Sequence, residues 1–91
     1  MSKQQKSSQK PSHKVERVQT GVRIEKKMLK VLKGLAEFHD ITLGDLLEGI
    51  VLHAFDGKVP FDETNLKVIQ QLRNLYELNL TSEDSHKLVE F

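Results

Sequence analysis

Ninety-one residues, 37% of them apolar and only five aromatic, suffice for one small domain with a modest core. The absence of cysteine excludes a disulfide framework and any thiolate-ligated metal site, so stabilisation must come from packing. The net charge of +1 conceals a split: residues 1–33 carry ten of the fourteen Lys and Arg against two acids, Glu16 and Glu25, whereas residues 34–91 sum to −7.

That split points the N-terminal third at a polyanion and the remainder at water or protein. The opening MSKQQKSSQKPSHK has no apolar run of the kind a signal peptide needs. No segment approaches the ~20 apolar residues of a membrane span, so a cytoplasmic protein without a membrane partner is expected. Residues 1–16 are rich in Ser, Gln and Lys and read as a flexible basic tail. Its Lys10 and Lys14 suit either a solubilising role or contacts to phosphate.

Residues 17–24, RVQTGVRI, alternate: Val18, Thr20, Val22 and Ile24 fall on one face, Arg17, Gln19, Gly21 and Arg23 on the other. A two-residue period predicts a half-buried strand, and a lone strand must find a partner for its backbone hydrogen bonds. The period then becomes helical over residues 25–39. Met28, Leu29, Val31, Leu32, Leu35, Ala36 and Phe38 make an apolar stripe, and Lys26, Lys30 and Lys33 share the outer face. HDIT breaks the pattern, and Thr42 with Asp45 three residues on predicts a capped second helix from Leu43 to Phe55. This helix is apolar over most of its circumference, so it needs cover from more than one neighbour. Gly49 in its middle either admits another helix backbone or is a tolerated imperfection costing about 1 kcal/mol. DGKVP is a stop, Asp62 caps a third helix over residues 63–78, and Thr81 with Asp84 opens a short final helix that ends at Phe91.

Strand, helix, short turn and apolar second helix over residues 17–55 resemble the ribbon-helix-helix family of DNA-binding proteins, of the Arc, MetJ and CopG type. The resemblance implies a mainly α fold. One N-terminal strand would pair antiparallel across an intertwined homodimer, and residues 56–91 would add a C-terminal helical extension. Val22, Ile24, Leu32, Leu35, Leu46, Leu47 and Ile50 would then form the dimer core. Independently of the family, a strand face and an apolar helix that one copy cannot cover call for a second copy.

The resemblance further implies a two-stranded ribbon in the major groove of duplex DNA, with Arg17, Gln19, Gly21 and Arg23 facing the bases. Arg suits guanine O6 and N7, Gln suits adenine N6 and N7, and Gly21 offers no side chain for readout. Phosphate contacts would come from the start of the second helix at Thr42, Leu43 and Gly44, where Asp45 opposes them and an ordinary cap is the alternative. Lys26 and Lys27 follow the strand and suit either phosphate contact or a solvated face. The expected function is sequence-specific DNA binding and transcriptional repression, with further oligomerisation on DNA left open. The alternative is a protein-interaction module, such as an antitoxin, plasmid partition or mobilisation accessory protein, that presents residues 56–91 to a protein partner. His13, His39, His53 and His86 lack metal-ligand spacing, and no glycine-rich phosphate loop or nucleophile motif occurs, so no enzyme activity, cofactor or metal is expected.

Overall fold

The computed structural model describes residues 13–91, and the expectations for the tail before His13, Lys10 included, lie outside them. Three helices follow in order: α1 (Lys26–His39), α2 (Leu43–Phe55) and α3 (Glu63–Tyr76), with a 3-10 turn at Ser82–Asp84. Each α-helix begins where a side chain can take up an otherwise unpaired amide. Glu25 accepts from Met28 N–H at 2.7 Å, Thr42 from Asp45 N–H at 3.0 Å, and Asp62 from Asn65 N–H at 2.9 Å.

The helices end in left-handed residues that turn the chain back. At Asp40 (φ 60°) the following Ile41 N–H reaches Ala36 O at 3.0 Å. At Gly57 (φ 71°) the following Lys58 N–H reaches His53 O at 2.8 Å, so the predicted DGKVP stop acts through its glycine. At Glu77 (φ 57°) the following Leu78 N–H reaches Arg73 O at 2.9 Å. The first and third of these turns return an apolar residue to the core side: Ile41 packs against the central cluster and Leu78 is buried.

Helix α1 is the centre of the molecule and packs against both α2 and α3. Leu35, only 1% exposed, joins Ala36 and Leu46 in the core, and Leu32, Ile41, Ile50, Phe61, Val68, Ile69 and Leu72 close around them. The approach of α1 to α3 is tight at Gly34, where an added Cβ would lie 2.8 Å from Leu72 Cδ2. Gly49, by contrast, has nothing within 4 Å of an added Cβ, so within the single chain the tolerated imperfection is the reading that fits, and the close helix approach falls at Gly34.

The fold departs from the ribbon-helix-helix expectation at its first element. Among the described residues there is no strand: residues 13–25 have neither helix nor sheet structure, and the molecule is a small all-helical protein of three helices. Alternation supplied a two-faced segment, but among the described residues no ladder completes it, and a segment without a ladder is not a strand. The apolar face also lacks cover, since Val18 is 78% and Val22 82% exposed. The fold class expected from the resemblance, with its antiparallel ribbon, is therefore overturned. Two smaller expectations also change. The third helix stops at Tyr76, two residues short, because Glu77 adopts the left-handed conformation. The final helix to Phe91 is only the 3-10 turn, although its predicted Thr81–Asp84 capping box is formed in both directions.

The two helical glycines should respond oppositely to substitution. Gly34→Val forces atoms into Leu72 and is expected to lower stability by roughly 1–3 kcal/mol, as overpacking does. Gly49→Ala should raise it by about 0.5–1 kcal/mol through helix propensity. Urea unfolding midpoints at one fixed protein concentration test both.

Candidate nucleic-acid interface

The described basic residues of the N-terminal third lie on the arm of residues 13–25, exposed up to Ile24, and on the outer face of α1. Lys14, Arg17, Arg23, Lys26, Lys27, Lys30 and Lys33 are all exposed, as are Gln19 and Gly21. Lys26, Lys30 and Lys33 share the outer face because the core-facing stripe takes the positions between them, with Val31 and Leu35 buried. The Lys30 ammonium stands 5.5 Å from the ring centroid of Tyr76, a cation–π contact that joins α1 to α3. Lys27 Nζ donates to Glu77 O at 3.2 Å, beside the end of α3 where its carbonyl dipoles favour a cation.

The two arginines expected to face bases are held by carboxylates of the same chain. Arg17 donates from Nε to Glu48 Oε2 at 2.8 Å and from Nη2 to Glu48 Oε1 at 2.9 Å. Arg23 donates from Nε to Glu90 Oε1 at 3.2 Å and pairs through Nη2 with Glu90 Oε2. Both are two-point contacts in which the guanidinium fork meets a planar carboxylate, the geometry that also suits a phosphate. The hydrogen bond and charge of Glu48 raise the Arg17 pKa, with a smaller contribution from Asp45, while burial opposes. In return the hydrogen bond from Arg17 lowers the Glu48 pKa, opposed by desolvation and helped to a lesser degree by the Arg17 charge.

The four residues expected as one reading row are therefore not assembled into a two-stranded surface. Arg17 is drawn towards α2 and Arg23 towards the last residues of the chain, with Gln19 and Gly21 exposed between them. At the start of α2, Thr42 caps the helix through Asp45 N–H, half-buried Leu43 and exposed Gly44 follow, and Asp45 is in the first turn. Asp45 and Glu48 make this end of α2 acidic, which opposes phosphate binding, and Arg17 is the cation that reaches it.

The residues expected to form the dimer core divide into two sets. Leu35 and Leu46 are buried within the single chain, with Leu32 and Ile50 packed against them, because α1 and α2 of one copy meet directly. Val22, Ile24 and Leu47 are exposed. Sequence reasoning did not single out Glu48 or Glu90 as partners of the arm. Glu48 did carry a signal, since it and Asp45 are the two acids of a mainly apolar helix, but only the folded chain supplies its partner. The histidines are dispersed: His39 Nε2 meets Asn65 Oδ1, and His53 Nδ1 meets Gly49 O at 2.7 Å. Among the described residues no three His, Asp or Glu side chains converge on a metal position, and no helix is long and apolar enough to cross a membrane. No family model matches the chain, and no curated protein or solved structure matches it either.

The Arg17–Glu48 pair carries a pH signature. A lowered carboxylate pKa means that the pair is fully formed above the ordinary Glu range and is lost as pH falls through the depressed value. The carboxyl carbon of Glu48, followed by NMR, should therefore titrate at lower pH than in Arg17→Ala. Coincident titrations would show that the pair does not persist in solution.

Proposed function

We propose that this chain binds duplex DNA as a homodimer through its basic arm and the outer face of α1, and acts as a transcriptional repressor. The observation that carries the reading is the concentration of ten cations in residues 1–33, of which those in the described part of the chain are exposed together. Cations gathered on one exposed arm and one helix face bind phosphates by counterion release, which is largely independent of sequence. Arg17, Gln19 and Arg23 add side chains suited to base edges, so any sequence preference would come from the arm.

The second copy is supported by α2. Leu47, Val51 and Phe55 recur every four residues, and all are exposed, Phe55 to 81%. Only five hydrophobic residues among those described are buried, a small core for a chain of this length. A stripe without charge can meet its own two-fold copy, as an isologous interface requires. No strand pairing is needed for this association. The exposed Leu66 and Leu75 of α3 favour a second reading, in which residues 56–91 present a surface to a protein partner.

Two measurements bear on the proposal. Lys26→Ala combined with Lys33→Ala should weaken binding to all duplexes alike and flatten the slope of log K against log salt by about one unit for each phosphate left without its cation. Salt-independent or absent binding by the unaltered protein in fluorescence anisotropy overturns the DNA reading. Light scattering should give a dimer that Phe55→Asp converts to a folded monomer. A folded wild-type monomer at micromolar concentration removes the dimer, and an interaction module then becomes the stronger reading.

A further inference from the structure

We propose that the arm is autoinhibited: Glu48 and Glu90 occupy the guanidinium forks of Arg17 and Arg23 that a nucleic-acid phosphate would otherwise take. The inference rests on the DNA reading above and adds a competition internal to the chain. Its basis is the path of the chain after α3. Leu78 is buried, and Arg73 Nη2 then holds Leu80 O at 2.7 Å. The Thr81–Asp84 capping box turns the chain again. Leu88 next lines a cavity of about 330 Å³ together with Met28 of α1, and Glu90 arrives at Arg23. The last residues thus bring Glu90 back to the start of α1, where the arm ends. Glu48 does the same to Arg17 from α2, so the arm is tied at two points, six residues apart, to two separate parts of the fold.

Both ties are built to yield. The side chains are exposed, 68% and 46% for Arg17 with Glu48, and 83% and 65% for Arg23 with Glu90. Exposed pairs of this kind shift an equilibrium by a factor of about two to five. A duplex presents many phosphates at high local density and displaces them, whereas a lone weak anion does not. The latch therefore lowers by the same factor the affinity of every duplex that must free the two arginines.

The test is fluorescence anisotropy with a labelled duplex at one salt concentration, on the full chain. Glu48→Gln with Glu90→Gln keeps size and shape and should tighten binding by about four- to twenty-five-fold if the two pairs act independently. Glu37→Gln with Glu83→Gln removes the same charge from exposed acids that pair with no cation among the described residues, and should change binding much less. In an Arg23→Ala background the Glu90→Gln gain should vanish. Tryptic cleavage after Arg23, which needs no DNA, should be faster in Glu90→Gln than in wild type. Binding by wild type that the Gln pair leaves unchanged, or a gain that the control pair reproduces, overturns the latch and leaves the DNA reading standing. Absence of binding by wild type and variants alike overturns the DNA reading, and the latch with it.

Discussion

The structure depends on the burial of one face of α1. Leu35 and Ala36 sit where α2 and α3 both reach, and the remaining apolar groups are arranged around that point. Removing Leu35 from water is worth about 1.5–3 kcal/mol by area, a large share of the margin available to so small a domain. Gly34, beside it, lets Leu72 close in from α3, so two consecutive residues set the spacing of the molecule. Because α1 turns its inner face to the core, its lysines are left outside. The burial that folds the protein also displays its charge.

The same arrangement leaves α2 undercovered. It is the most apolar of the three helices, yet Leu46 is its only buried residue, and α1 is the one helix whose backbone comes close to it. An apolar helix with one neighbour has surface to spare, which is the physical ground for a second copy in the proposed function. The charged groups show a parallel economy. Cations concentrated at one end of the sequence meet acids brought back from α2 and from the last residues, so local net charge around the arm is partly neutralised before any partner arrives.

How far the sequence could be read follows from the range of the forces involved. Helix starts depend on one side chain and an amide three residues away, so Thr42 and Asp62 were legible, as was the glycine stop at Gly57. The absence of an N-terminal strand was not legible, because a strand is a relation between two chain segments and alternation describes only one. The stop at Glu77 was missed for a related reason: a non-glycine residue in the left-handed region is held there by the returning Leu78, which packs elsewhere in the fold. Gly34 lay in the apolar stripe without a local feature to distinguish it from Gly49, and only the position of Leu72 does so.

By itself the sequence determined the three helices, the caps at Thr42 and Asp62, and the separation of a basic N-terminal third from an acidic remainder, since each rests on contacts within a few residues or on composition. Tertiary structure alone decided that residues 13–25 are not a strand, that α1 and not a ribbon is the centre, and that Arg17 and Arg23 are answered by Glu48 and Glu90. The last two pairings span 31 and 67 residues of chain, and no periodicity or spacing encodes a contact that exists only once the helices have packed.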